Sequence, residues 1–278
     1  MMLGLSLRPE VFKPSETVKL AEELSSRYFF IPDVSKDVDP IQLSFSILLK
    51  NSKAMAGPGV VRINELQIDE LIRQIKTIND ITENRFFLGV GLGSVKEDVG
   101  STIAEMSKRI EEVKRSTNTR VFVATLREGL AKKVRDISDG IILNFSTFDH
   151  AKRVSSVFKG EKRVVASYYK IFVAQTFDAA AYMAVNELQK YSGYTQYLEL
   201  FRRESIIEDI SYLYSKREEA LRNLQAKGVL AVNPSTDFIK SVAEVFYKNG
   251  IDILVVYPYF SSAYSYDKRI AYLKGLFT

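Results

Sequence analysis

In 278 residues the chain has no cysteine, no tryptophan and a single histidine. The missing thiols exclude disulfide scaffolding, thiolate metal centres and thiol redox chemistry within one chain. One histidine alone builds no zinc site. The lack of cysteine fits an intracellular protein, and a cytoplasmic one is expected. Long apolar runs are missing too: none approaches the ~20 residues of a membrane span. The opening MMLGLSL has neither the basic region nor the apolar length of a secretion signal, so none is expected. Reactive groups must therefore come from carboxylates, hydroxyls, Lys, Tyr, backbone amides or a bound cofactor.

A strong charge imbalance is also absent. Thirty-nine Lys and Arg stand against 34 Asp and Glu, a formal +5. The basic residues are interleaved with acids, and the clusters Lys132-Lys133 and Arg202-Arg203 read as solvated helix faces. Neither a nucleic-acid nor a membrane partner is expected. Hydrophobic residues make up 46% and charged residues 26%, an ordinary globular composition. A chain of this length buries about three quarters of its unfolded surface, enough for one large core.

What is present is an alternation. Eight β-rich apolar runs occur at Leu3–Leu7, Tyr28–Ile31, Lys53–Val61, Phe86–Gly91, Arg120–Thr125, Gly140–Asn144, Arg163–Val173 and Ile251–Tyr257. Most are apolar at consecutive positions, as parallel strands buried on both faces should be. Helical stripes lie between them: Ile68, Leu71, Ile72, Ile75 and Ile78; then Ile103, Met106, Ile110 and Val113; then Leu130, Val134 and Ile137. Ser15, Asp39-Pro40 and Asn233-Pro234 read as helix starts. Eight βα units in one chain predict an α/β fold, a (β/α)8 TIM-type barrel forming a single domain over 1–278. A doubly wound sheet is the rival. Residues 176–232 break the rhythm. They read as two or three extra helices inserted between strands 7 and 8, with no strand signal and many tyrosines (Tyr182, Tyr191, Tyr194, Tyr197, Tyr212, Tyr214).

In such barrels the working residues lie at the C-terminal ends of the strands. The candidates are Ser6-Leu7-Arg8, Pro32-Asp33, Gly57-Pro58-Gly59, Leu92-Gly93-Ser94, Thr125-Leu126-Arg127, Asn144-Phe145-Ser146 and the segment after Tyr257. Gly57-Pro58-Gly59-Val60 is either a bulge that lets a planar ligand approach the backbone or a plain strand-ending turn. Gly89-Val90-Gly91-Leu92-Gly93 lacks dinucleotide-loop spacing and reads as small residues clearing the mouth. The turns at Thr125–Glu128 and Asn144–Thr147 are either ordinary βα turns or an anion cradle of helix-end amides with Arg127 adding charge. His150 is expected on a solvated surface. Lys170 interrupts the seventh strand; it is paired with a carboxylate inside the barrel, turned outward, or depressed in pKa as a Schiff-base lysine.

Asp39-Pro40, then Gly57-Pro58-Gly59-Val60 through Leu71-Ile72-Arg73-Gln74 to Asn84–Gly91, resembles the "GTGV … GGRF-LGVGAG" segment of the luciferase-like superfamily of flavin- and deazaflavin-dependent oxidoreductases. Val121–Ala124 followed by Ser138–Asn144 resembles its "VYVAALGP … ADGVLLN" segment. The likeness runs from about residue 3 to 260 and is greatest to methylenetetrahydromethanopterin reductase-like proteins. Three positions differ from the family pattern. Asp33-Val34 stands where Asp-His is common, Arg127-Glu128 stands for Gly-Pro, and the loop after Gly93 is shorter.

The resemblance implies a barrel with a ring-shaped cofactor at its mouth, deazaflavin (coenzyme F-420) or alternatively FMN, acting on a small organic or pterin-type substrate. It also implies a homodimer and a non-prolyl cis peptide in the third strand, matching Gly59–Val60. Gly59 and Val60 would back the ring, with Ser6, Gly93 and Asp33 near it and Asp33 as proton donor. Thr125, Leu126, Arg127, Asn144 and Ser146 would hold the phosphate. Hydride transfer is the first reading implied; an FMN-dependent monooxygenase and a non-catalytic flavin-binding barrel are the alternatives.

Overall fold

A computed structural model describes the chain except for Met1, 94–97, Lys159, Glu161, Lys162, Tyr214 and Thr278. Ser94 and Tyr214, singled out above, thus lie outside the described residues.

The consecutive apolar runs become strands β1 (Met2–Ser6), β2 (Tyr28–Pro32), β3 (Met55–Arg62), β4 (Phe87–Gly91), β5 (Arg120–Ala124), β6 (Gly140–Leu143), β7 (Val164–Val173), β8 (Leu230–Val232) and β9 (Ile253–Phe260). Every pairing is parallel. The order β1-β2-β3-β4-β5-β6-β7-β9 closes back on β1, giving an eight-stranded barrel with β8 attached to β7. Closure removes the sheet edges that a doubly wound sheet would keep. The barrel expected from the alternation is the barrel observed.

Helices follow the strands on the outside: α1 (Pro14–Glu23), α2 (Pro40–Lys50), α3 (Ile68–Thr82), α4 (Val99–Thr117), α5 (Glu128–Val134) and α6 (Phe148–Phe158). After β7 come α7 (Phe177–Ser192), α8 (Thr195–Arg203), α9 (Ile207–Ser211) and α10 (Arg217–Ala226); α11 (Thr236–Lys248) and α12 (Tyr266–Phe277) complete the ring. Asp39 caps α2 as its position predicts, its Oδ1 accepting from the N–H of Ile41 at 2.7 Å and Gln42 at 3.2 Å. None of the described helices is long and apolar enough to cross a membrane.

Four local expectations change. Helix α1 starts at Pro14, one residue before Ser15, because proline suits the first helical position, and Glu16 accepts the Lys13 N–H at 2.8 Å. Ser235, not Asn233, caps α11. Asn233 takes a left-handed φ of 45° and its Oδ1 accepts from the Ala174 N–H instead. The region 176–232 holds four helices and also the strand β8. Leu-Ala-Val is too short to show periodicity, and only its pairing with Lys170–Phe172 makes it a strand.

Two apolar cores result. Leu5, Phe29, Ile31, Leu88, Val123 and Tyr169 face outward from the strands and pack under the helices. Phe30, Phe87, Phe122, Tyr168, Tyr257 and Tyr259 face inward. That inner core does not stop at the mouth. It runs on through Phe145 to Ala184, Leu188 and Phe201 of the inserted helices, so α7 to α10 cap the barrel rather than decorate its side.

Candidate functional site

The Gly-Pro-Gly stretch is a bulge. Ile31 pairs with Pro58 but Pro32 with Val60, leaving Gly59 as the extra residue. The other neighbour agrees: Ala56 faces Phe86 and Val61 faces Val90, so four residues of β3 oppose three of β4. The glycines make this possible. A Cβ on Gly57 would collide with the Phe87 carbonyl, and one on Gly89 with the carbonyls of Pro58 and Gly59. The bulge and its tight contact with β4 form with no cis peptide bond among the described residues, contrary to the expectation at Gly59–Val60.

In front of Gly59 stands the hydroxyl of Tyr168, where a Cβ would otherwise be. Tyr168 belongs to an inward set of aromatics in tilted or edge-to-face contact: Phe30–Phe87 centroids 4.8 Å apart, Phe87–Phe122 5.2 Å, Phe30–Tyr168 6.1 Å and Tyr168–Tyr257 5.3 Å. Burial pushes the Tyr168 phenol pKa up, so it is neutral at physiological pH. The Tyr168 hydroxyl and the Ser6 Oγ are buried with no protein partner beyond each other, and Ser146 Oγ and Asn144 Oδ1 are buried without one. Each such atom costs about 1–3 kcal/mol unless something absent from the chain satisfies it.

One layer above lies Lys170. It faces inward, 2% exposed. Its Nζ is 3.3 Å from the Tyr259 hydroxyl and 3.9 Å from a Glu187 oxygen, and Tyr259 donates to Glu187 in turn. Phe145, Tyr257 and Tyr191 rings surround the ammonium at 4.6, 4.3 and 4.9 Å. Burial drives its pKa down to about 7, opposed by Glu187 and assisted by Arg8. Lys170 is thus inside the barrel beside a carboxylate with its pKa depressed, and the outward-turned alternative is the one excluded. Arg8 closes the cluster, 4.2 Å over the Tyr259 ring and paired with Glu10. Phe145 reaches Lys170 by adopting a φ of 53°, a conformation aromatic residues rarely take and one that costs about 1–3 kcal/mol.

The turns after β5 and β6 are covered. Helix α8 lies across both. Asn144 Nδ2 donates to the Tyr197 hydroxyl at 2.8 Å, Arg127 pairs with Glu199, and Arg203 donates to the Leu126 carbonyl at 2.7 Å. Glu204, just past α8, has a side chain only 2% exposed. It accepts from Thr147 Oγ1 at 3.0 Å, Arg153 at 2.6 Å and Arg203 at 3.3 Å. Burial alone would raise its carboxyl pKa; the bond from Arg153 and the neighbouring charges outweigh this and hold it below the ordinary value. His150 follows Thr147 and is fully buried, with neither ring nitrogen partnered. The solvated surface position expected for it is not found, because α6 turns this face toward Glu204. Burial lowers its pKa to about 4, Glu204 pulling the other way and Arg203 and Arg153 adding to the fall.

Of the residues marked in the sequence, Ser6, Gly59, Thr125, Asn144 and Ser146 are buried or half-buried around the mouth, and Val60 is half-buried on the bulge. Thr125 Oγ1 accepts the Arg127 N–H at 3.2 Å, shaping that turn. Leu126 is half-buried and Arg127 exposed. Asp33 and Gly93 lie on the exposed side, away from the α8 contacts. Partial burial raises the Asp33 carboxyl, with Arg62 opposing and Asp39 and Glu65 adding to the rise. Glu187, Tyr259, Glu199 and Glu204 have no motif; their roles come from inter-element contacts that no local spacing encodes. Among the described residues no cluster of His, Cys, Asp and Glu could hold a metal.

The residues that the resemblance assigns to a coenzyme differ at the two ends. At the ring end the hydroxyls of Ser6 and Tyr168 would suit a polar ring edge. At the phosphate end Arg127 is already paired with Glu199 and Asn144 Nδ2 donates to Tyr197, while Ser146 Oγ and Asn144 Oδ1 keep no protein partner.

No family model matches the sequence, and no curated protein matches it. Solved structures do. The coenzyme F-420-dependent tetrahydromethanopterin reductase of Methanopyrus kandleri superposes with TM-score 0.69 at 16% identity, covering 100% of this chain and 98% of that one. An F-420-dependent secondary alcohol dehydrogenase in complex with an F-420–acetone adduct gives 0.73 at 11%, covering 99% and 97%. The oxygenating constituent of 3,6-diketocamphane monooxygenase from Pseudomonas putida, in complex with FMN, gives 0.67 at 14%, covering 100% and 97%. At such identities the likeness is one of fold alone.

Proposed function

We propose that this chain is an oxidoreductase that transfers a hydride between a deazaflavin coenzyme and a small organic or pterin-type substrate at the C-terminal mouth of its barrel. The observation that carries the reading is the pair of buried hydroxyls, Ser6 and Tyr168, with no protein partner beyond each other, beside the bulged β3 of a barrel that matches coenzyme F-420 proteins end to end. The coenzyme would supply the hydride chemistry. The chain supplies the rest. Ser6 and Tyr168 offer hydroxyls to a polar ring edge, and the inserted helices exclude water. Lys170, poised near neutrality next to Tyr259 and Glu187, and Asp33, with its raised carboxyl, are the groups able to hold or release a proton. The working form would be a homodimer.

FMN is the second reading, supported by the equally complete match to an FMN-bound barrel. Titration of the purified protein with coenzyme F-420 and with FMN, followed by fluorescence, tests both. The proposal expects micromolar binding of F-420 that Tyr168→Phe weakens. Binding of FMN alone would transfer the assignment, and binding of neither would leave a non-catalytic barrel.

A further inference from the structure

Arg8 is a buried cation that the hydride transfer proposed above does not use. It follows Ser6 by two residues at the end of β1 and is only 8% exposed. Its backbone belongs to the barrel wall. The Arg8 carbonyl accepts from the N–H groups of Val11 and Phe12, both at 3.0 Å, and Arg269 holds that turn through the Val11 carbonyl at 2.8 Å. The guanidinium lies 4.2 Å from the Tyr259 ring and 5.4 Å from the Tyr257 ring. Lys170 lies against the same two rings, at 5.6 and 4.3 Å. Two cations thus share one pair of phenols, and the covered carboxylate of Glu187 acts on both. Arg8 is also paired with Glu10, whose side chain is 44% exposed. Its Nε remains buried with no hydrogen-bond partner. A buried donor left in this way costs about 1–3 kcal/mol, and more when it is charged.

We propose, on the oxidoreductase reading above, that Arg8 binds the carboxylate of the substrate, a small organic acid whose carbonyl or hydroxyl oxygen faces Lys170 and Tyr259. Charge selects an anion. Deep in the cluster Arg8 and Lys170 stand against Glu187, and the other carboxylate on Arg8, that of Glu10, reaches it from the rim. Shape selects a carboxylate. A guanidinium is a planar fork that a carboxylate meets with two oxygens in the same plane, and the free Nε supplies one N–H of that fork. Because both cations lie against the same two rings, the carboxylate and the oxygen facing Lys170 belong to one small molecule. Entry is from the wet side. Strand β1 pairs with β2, which leads into the exposed Asp33 and Val34, and Glu10 at the rim has water to turn to. Arg8 itself moves with neither the entrance nor the inserted helices, since its turn is fixed to the barrel.

Pyruvate is the probe, and pyruvamide, which has the same shape without the charge, is its control. Calorimetric titration of the full chain should show pyruvate binding, with pyruvamide weaker by about tenfold or more. Arg8→Met should weaken pyruvate by a similar factor and leave pyruvamide unchanged. Glu10→Gln should tighten pyruvate, because it removes the carboxylate that competes for Arg8. No pyruvate binding, equal binding of the two probes, or a pyruvate affinity unchanged by Arg8→Met overturns the proposal. Glu10 stands partly in water, so Glu10→Gln decides the matter even if Arg8→Met does not fold: a pyruvate affinity that fails to rise overturns it. The coenzyme titration fails separately. Charge-selective pyruvate binding without binding of F-420 or FMN would sink the functional reading alone. Coenzyme binding with no preference for pyruvate over pyruvamide would sink this proposal alone.

Discussion

The two sides of the barrel mouth are built from the same βα unit and have opposite character. Over β2 to β4 the strand ends are wet. Asp33, Val34, Arg62 and Gly93 are exposed, and Arg62 makes only a surface pair with Glu65 at 3.3 Å. Over β5 to β9 the inserted helices continue the inner core, and polar groups are buried and unpartnered, paired with one another as in Lys170–Tyr259–Glu187, or held by α8. The difference teaches where the fold has spent its order. A barrel needs its inner core only up to the mouth, so the extension through Phe145, Leu188 and Phe201 is an addition, and the left-handed Phe145 marks its strain.

Truncating the addition should have the largest effect. Phe201→Ala removes a fully buried ring that packs against Phe145 at 5.7 Å, and should cost about 3–5 kcal/mol in urea denaturation. A loss below about 1 kcal/mol would mean that the covered side is not packed as described.

Lys170 sharpens the contrast through pH. Burial holds its folded pKa near 7, against 10.5 ordinarily. Between those values the unfolded chain binds a proton that the folded chain does not, so stability from this group rises with pH, by up to about 1.4 kcal/mol per unit. Urea midpoints at pH 7 and 9 should show wild type gaining relative to Lys170→Met as pH rises. Parallel profiles would mean that Lys170 stays charged in its aromatic box. On the wet side the effect should be smallest: Arg62→Ala should shift stability by no more than about 0.5 kcal/mol, since exposed pairs contribute little.

The barrel was legible because it rests on local signals. Continuous apolar strands, helical stripes and the Asp39-Pro40 cap each state their role within a dozen residues. The glycines of β3 announced a departure from regular pairing, and the register shows which kind. The covered half was not legible. Arg127 and Glu199 are 72 residues apart, and Thr147 and Glu204 57 apart. Glu199 and Glu204 read in sequence as ordinary acids of a polar helix, and nothing local says which barrel residues they meet. His150 was misplaced for the same reason: its burial comes from tertiary packing on α6 that its local sequence does not state. Strand β8 exists only through its pairing with β7.

Hydrogen exchange over residues 195–204 of the free protein tests the central claim most directly. The account predicts that α8 is protected, because Leu200 and Phe201 enter the inner core. Exchange at the rate of an unstructured segment would contradict it.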